Sequence, residues 1–448
     1  MNEKNKIFFL VTLYKIFIIL FIIISFGITK IINYYNYNLD KFYRKELNKK
    51  IKIGLVSRSL INGGIERSTS LILHYFNKVK IFELFLFTNY EKQNNEYFID
   101  TNIKRVTFNN NLIGLIQQQK IEILIYQIYS PREINILNKI KNLKLIVINN
   151  SCFFFWIYMK SYYFIKTYYQ AYKNCDYTFS LVPFENDYLF KKWGINSILI
   201  NLFIQYEYDS ITPSDLSSDI ILMIGRGEDR FKRFDLGIKA MKYIINDIPK
   251  SEMKIISSLN GLFYLRNLTK DLNLENYINF EGYTTNPSIY FKNASLHLFP
   301  TIVESFGYVL AETKIFGIPN ILIGLDYLTI SEGGTFIIYN DSPLSLAEIS
   351  VKILKNKKYK KKLGRAARNS MKKYNNWLIL KRWVKIILSI YNGKENYEKL
   401  RNEDKKISNK EAKYLIETQL NLLRNRKSKF MNLTLKDIEN FNFIKNLK

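Results

Sequence analysis

Cysteine, glycine, proline and acidic residues are all scarce in this chain, and each shortage removes a class of answer. Two cysteines, Cys152 and Cys175, cannot staple a small disulfide scaffold. With 18 glycines and 8 prolines the chain is no collagen-like or low-complexity fibre. No alanine precedes Ala171, so the small-residue cleavage site of a secretory leader has only Ser25 and Gly27 as poor substitutes. No Asp-x-Asp pair, the simplest carboxylate metal motif, occurs anywhere in the 448 residues. Acidic residues number 39 against 67 Lys and Arg, a net charge of +28. Such a balance suits an anionic partner: nucleic acid, a phospholipid surface or a phosphorylated small molecule. It also suits a compositional origin, because Lys, Asn, Ile, Tyr and Phe, all with A/T-rich codons, are over-used and the excess is spread along the chain. Apolar residues are plentiful, at 47% against 24% charged, which supplies a core and excludes wholesale disorder. The length suits two or three domains.

The apolar run Ile7–Thr29, broken by Lys15, is long enough at ~1.5 Å per residue to cross a ~30 Å hydrocarbon core with some tilt. It predicts a retained, single-pass membrane anchor within residues 1–48; a cleaved leader is the alternative. Lys4 and Lys6 precede the run, whereas Lys30, Lys41, Arg44, Lys45, Lys49 and Lys50 follow it, which places the body on the cytosolic side.

Beyond the anchor, two segments read alike: a short apolar run, a glycine-containing turn, then an amphipathic helix. In the first, Ile51–Val56 leads to Gly63-Gly64 and a helix over Ser68–Phe76. In the second, Ile220–Gly225 leads to the turn Arg226–Arg233 and a helix over Phe234–Ile245. Strand-like runs then alternate with helical stretches. They are Phe82–Phe87, Glu122–Tyr126 and Leu143–Ile148 in the first half. In the second half they are Lys254–Ser257, Tyr277–Phe280, Ser295–Phe299 and Asn320–Ile323. This alternation predicts an α/β chain of two tandem Rossmann-like, doubly wound domains, 49–208 and 219–375, joined where Pro, Ser and Asp cluster. A helix over 376–393 closes the body, and 394–448 is a basic tail with one helix near Lys410–Arg424. Ligands of open α/β sheets bind beyond the carboxyl ends of the strands, here in the cleft between the domains.

Two stretches of the second half carry candidate chemistry. Arg226 follows a strand and Lys232 precedes a helix, so both lie near a helix N-terminus, whose positive potential disfavours cations. An anion such as a diphosphate between them makes sense of the placement, with Arg as a fork and Lys as a point charge; solvated loop charges are the alternative. In Pro300–Glu312, Glu304 lies in a loop, Ser305-Phe306-Gly307 opens a helix, and Glu312 follows within it. Gly307 permits close approach to the backbone, and free N–H groups of 306–308 can cradle phosphate oxygens. Glu312 is placed to accept a ribose diol. Glu304 lies nearer the far end of such a ligand, or complements the helix dipole.

Together, Gly63-Gly64, Gly225-Arg226…Lys232, Phe280-Glu-Gly-Tyr283, Glu304-Ser-Phe-Gly307…Glu312, Gly317-Ile-Pro319 and the helix around Trp377–Leu388 resemble the retaining family-4 glycosyltransferases of GT-B fold (glycosyl transferases group 1), over roughly residues 51–391. The resemblance implies a nucleotide-sugar co-substrate, UDP- or GDP-linked, and no other cofactor. Arg226 and Lys232 would bind its diphosphate and stabilise the leaving group, and Glu304 would contact the sugar. The backbone at Ser305, Phe306 and Gly307 would hold phosphate, and Glu312 the ribose. Gly63 and Gly64 would let the first domain approach donor and acceptor, and the helix Trp377–Leu388 would brace that domain. The implied reaction is metal-independent sugar transfer to an acceptor hydroxyl with retention, in glycan or glycolipid biosynthesis. Arg226, Lys232 and Glu304 are the candidate catalytic residues, and the acceptor is a glycan or lipid-linked molecule.

One departure concerns a histidine that many relatives carry at the cleft: the corresponding region here reads Asn149-Asn150-Ser151-Cys152. His74, on the first helix, and His297, in a strand, read as packed or surface and as core, and neither is assigned a catalytic role. The aromatic stretch Phe153–Gln170 reads either as core or as a surface dipping into a membrane. Lys352–Lys373 reads as a solvated helix face or a surface for anionic lipid. An inactive GT-B scaffold is a further reading, which the intact Arg226, Lys232, Glu304 and Glu312 disfavour. A basic, membrane-tethered nucleic-acid-binding protein is the other alternative; it rests on +28 alone, and without a recognisable binding module no nucleic-acid partner is expected.

Overall fold

The computed structural model describes residues 49–393, 407–426 and 434–439, except positions 62, 129, 160, 161, 259–261 and 285. The expected anchor, 7–29, lies outside the described residues, and no described helix is long and apolar enough to cross a membrane.

Two parallel sheets follow one another along the chain. The first contains β1 (Ile51–Val56), β2 (Phe82–Thr88), β3 (Lys104–Thr107), β4 (Ile123–Tyr126), β5 (Lys144–Asn149), β6 (Tyr177–Ser180) and β7 (Ser197–Leu199), in the order β3-β2-β1-β4-β5-β6-β7. The second contains β8 (Ile220–Ile224), β9 (Glu252–Ile256), β10 (Ile278–Phe280), β11 (Leu296–Phe299), β12 (Asn320–Ile323) and β13 (Thr335–Ile338), in the order β10-β9-β8-β11-β12-β13. Helices cover both faces, so central strands are near-continuous apolar runs: Ile53, Leu55, Leu124, Ile125, Ile221 and Leu222 are fully buried. In each sheet the strand order reverses at one point, between β1 and β4 and between β8 and β11, where a crevice opens at the strand ends.

The sequence reading missed β3, β6, β7 and β13. Each has three or four residues, and β3, β7 and β13 are sheet edges. An edge strand such as Lys104-Arg-Val-Thr107 tolerates charge where a central strand does not, which erases the apolar signal. The first helix also differs from expectation: it runs Gly64–Asn77, with Gly63 as an extended cap at φ −157°, and so begins four positions before Ser68. That shift brings Glu66 and Arg67 into its first turn.

The helix Asn376–Tyr391 packs across the first domain. Trp383 is fully buried there, its ring against Phe76, Phe179 and Phe203, and its Nε1 donates to the Asn201 carbonyl at 3.1 Å. The Asn376 side chain pairs with both the N–H and the carbonyl of Ile204, each at 2.8 Å. In the tail, the helix Asn409–Asn425 is followed by Arg426, which forks onto Asp341 at 2.8 and 2.7 Å. Phe153, Phe154, Trp156, Tyr168 and Tyr169 are core residues, with the Trp156 and Tyr168 rings stacked at 4.7 Å; this favours the core reading for the described part of that segment. Within the basic stretch, Lys360 is buried and donates to the Ser218 carbonyl, and Arg368 donates to the carbonyls of Tyr208, Ile211 and Ile315. Lys357, Lys358, Lys361, Lys362 and Arg365 stay on the solvated face.

Candidate active site in the interdomain cleft

The carboxyl ends of β1 and β5 face those of β8 and β11 across a cavity of about 430 Å³. All nine candidate residues line it: Gly63, Gly64, Arg226, Lys232, Glu304, Ser305, Phe306, Gly307 and Glu312. Chain connectivity places them. Arg226 is two residues beyond β8, and Lys232 ends the short helical turn Arg230–Lys232. Glu304 to Gly307 form the loop after β11. The following helix runs Tyr308–Ile315, so the helix opens one residue after Gly307 rather than at Ser305. Gly307 caps it at φ +84°, a conformation that favours glycine. The unpaired N–H groups of that helix start lie in the cavity wall.

The charged side chains are paired with one another. The Lys232 ammonium lies 2.9 Å from Glu304 Oε2, while Glu304 Oε1 accepts the N–H of Ser305 at 3.1 Å. Arg226 lies 2.8 Å from Asp229 and is half exposed, at 51% of its side chain. The two cations therefore sit within reach of one space, each balanced by a carboxylate. Glu66 turns its carboxylate back over Gly63: a Cβ there would meet Glu66 Oε2 at 1.9 Å. Burial holds the Glu66 carboxyl above its usual range, against the pull of its own N–H and of Arg226.

Sequence reasoning missed Arg67. Its Nη1 donates to Glu312 Oε1 at 2.6 Å across the cleft, an ion pair with side chains 12% and 1% exposed. The Arg67 guanidinium lies 5.6 Å from the ring centroids of both Tyr97 and Tyr308. Burial opposes its charge, but Glu312 together with the Tyr97 and Tyr308 hydroxyls outweighs that and leaves it firmly protonated. Burial raises the Glu312 carboxyl while Arg67 lowers it. Glu312 Oε2 is buried without a hydrogen-bond partner. The signal was available: a cation in the first turn of a helix opposes the dipole unless a carboxylate holds it. Seeing it required the helix start at Gly64.

Three more contacts join the domains at this wall. Ser305 Oγ donates to the Asn150 carbonyl at 2.6 Å, Cys152 Sγ lies 3.7 Å from the Tyr327 hydroxyl, and the Phe155 and Phe231 rings meet edge to face at 5.9 Å. Asn150, Ser151 and Cys152 line the cavity. Burial raises the Cys152 thiol to about 12, so it is neutral at pH 7. His297 is a core residue bonded to Asn320 Oδ1 at 2.6 Å, with its pKa lowered by burial to about 4. His74 is partly exposed on the first helix, 3.3 Å from Asp100. Neither histidine lines the cavity. Among the described residues no group of three or more His, Cys, Asp or Glu is placed to hold a metal ion. On the second-domain side, the wall includes Ser257, Tyr283 and Thr284; Ser257 Oγ accepts the Gly227 N–H at 2.7 Å.

Residues 205–370, which contain both charged stretches, match the family described as glycosyl transferases group 1. An uncharacterised glycosyltransferase of Haemophilus influenzae is 26% identical over 151 residues, 34% of this chain and 42% of that protein. A poly(glycerol-phosphate) alpha-glucosyltransferase of Bacillus subtilis is 22% identical over 151 residues, 33% of this chain and 22% of its own. The chain thus spans well under two thirds of the curated relatives it matches. Sucrose-phosphate synthase from Thermosynechococcus elongatus superimposes with a TM-score of 0.66 at 15% identity, covering 77% of this chain and all of that one. Anabaena HepE, solved with UDP and glucose, superimposes at 0.62 and 13% identity, covering 76% and 100%. The fold is the two-domain α/β architecture of the GT-B glycosyltransferases.

Proposed function

We propose that this chain is a glycosyltransferase that moves a sugar from a nucleotide donor to an acceptor hydroxyl, with retention at the anomeric carbon and without a metal ion. One observation carries the reading: two cations, a helix start and a buried carboxylate from widely separated stretches converge on one interdomain cavity.

The chemistry follows from charge. Breaking the sugar–phosphate bond builds negative charge on the departing diphosphate, and donors already fixed around it stabilise that charge without reorganising. Arg226, Lys232 and the N–H groups at the start of the helix Tyr308–Ile315 supply them. Lys232 would exchange Glu304 for phosphate, freeing Glu304 to accept hydroxyls of the sugar. Glu312, one helical turn further on, takes the ribose diol through Oε2. No side-chain base is required of the cleft if the leaving phosphate takes the acceptor proton. The donor is a UDP- or GDP-sugar, consistent with UDP in the HepE structure, and the acceptor a glycan or lipid-linked molecule.

Residues 7–29 serve as a retained single-pass anchor with the body cytosolic; resistance to alkaline extraction tests it. The reading as a whole is tested by incubating the purified chain with UDP- and GDP-sugars. Nucleoside diphosphate release with sugar transfer is expected, and a fully folded chain that neither binds nor turns over any nucleotide sugar would overturn it.

A further inference from the structure

The Arg67–Glu312 pair joins residues that have different apparent tasks. If Glu312 holds the ribose, as the functional reading states, its carboxylate must present an oxygen to the diol in a fixed plane. Glu312 lines the cavity and is fully buried, and of its two oxygens only Oε1 has a partner; the buried Oε2 has none. The partner of Oε1 comes from the opposite domain. Arg67 is held over the Tyr97 and Tyr308 rings, so its Nη1 is aimed rather than swinging. Its Nε is buried and has no partner of its own. A guanidinium held on one carboxylate oxygen sets the rotation of the whole group.

We propose that Arg67 is a positioning residue for nucleotide recognition: it reaches across the cleft and sets the Glu312 carboxylate so that its free oxygen meets the ribose diol. Donor affinity, although most donor contacts lie in the second domain, then depends on the first domain being seated. The proposal rests on the ribose role of Glu312 and extends it.

The readout is nucleotide binding by calorimetry, with UDP and GDP and their 2′,3′-dideoxy analogues, on the full chain. In the wild type the ribonucleotide binds more tightly than the analogue. Arg67→Met is expected to weaken the ribonucleotide roughly 10- to 100-fold while leaving the analogue's affinity unchanged. Arg67→Lys, which keeps charge but loses the fork, gives the same pattern in milder form and serves if Arg67→Met folds poorly.

A pH series adds a second readout. The groups facing Glu312 are Arg67, Tyr97 and Tyr206 from the first domain and Tyr308 from its own helix. Only Arg67 among them favours the carboxylate. Without it burial acts unopposed, and ribonucleotide affinity in Arg67→Met rises with pH as Glu312 ionises. Equal weakening of both ligands, or of neither, would show a mere interdomain strut and overturn the role of Arg67. A wild-type chain that does not distinguish the diol at all would instead overturn the ribose role of Glu312.

Discussion

The hydroxyl of Tyr327 clasps the backbone of Glu304 from both sides: it accepts the Glu304 N–H at 3.1 Å and donates to the Glu304 carbonyl at 3.0 Å. Tyr327 is buried against Phe154 and Phe184 of the first domain, at 5.2 and 5.6 Å between ring centroids. The loop that carries the proposed sugar-contacting carboxylate is thereby fastened to a residue whose ring belongs to the domain interface. Tyr327→Phe keeps the ring and removes both bonds, leaving a backbone donor and acceptor unmade at about 1–3 kcal/mol. The expected outcome is a lower kcat with a cooperative unfolding transition retained; wild-type kcat would show that the clasp does not position Glu304.

Lys232→Ala should reduce sugar transfer by about 10²- to 10³-fold, the loss typical of removing one donor aimed at developing charge. Arg226→Ala should cost less, about tenfold, because Arg226 is half exposed and shares Asp229. Initial rates with a saturating donor, alongside circular dichroism to verify folding, separate the two. Full activity in Lys232→Ala would remove this residue from the donor site.

A pH-dependent stability arises beneath the cleft. Burial raises the Glu185 carboxyl to about 8, against hydrogen bonds from the Phe153 N–H, Tyr169, Ser180 and Asn149. The native state therefore holds a proton that the unfolded chain releases near 4.5, and stability is lost as pH climbs from about 4.5 through 8. Urea unfolding at pH 6 and 8.5 should show a drop of roughly a few kcal/mol. Glu185→Gln should flatten that slope, and an unchanged slope would show that Glu185 is not its source.

Trp383→Ala probes the brace. Truncating so large a buried side chain costs about 3–5 kcal/mol. The urea midpoint should fall accordingly, and the first domain, whose Phe76, Phe179 and Phe203 rings lose their partner, should show it in hydrogen exchange. A midpoint shift equivalent to less than about 1 kcal/mol would mean that this helix is peripheral to the core.

Much of the fold was legible locally. Ile51–Val56 and Asn320–Ile323 are strands with the bounds read from their apolar runs, because strands covered on both faces require such runs. Edge strands escaped for the converse reason, β3 most clearly. Within the site, Lys232 stood out as a cation near a helix N-terminus, Gly307 as a residue that admits close approach to the backbone, and Glu312 as a carboxylate set back along the same helix. Arg67 did not, since placing the helix start at Ser68 left it in a loop, where a cation needs no explanation.

The residue order alone determined the buried central strands, where a turn must be glycine, and which side chains could meet an anion; these depend on neighbours a few positions apart. Partnership was decided only by the folded whole. Arg67 and Glu312 are 245 positions apart and belong to different domains, as do Cys152 and Tyr327, separated by 175. Nothing in either local stretch specifies the other. Their meeting depends on how two independently wound sheets seat against each other, and that seating is set by side-chain packing spread over the entire interface.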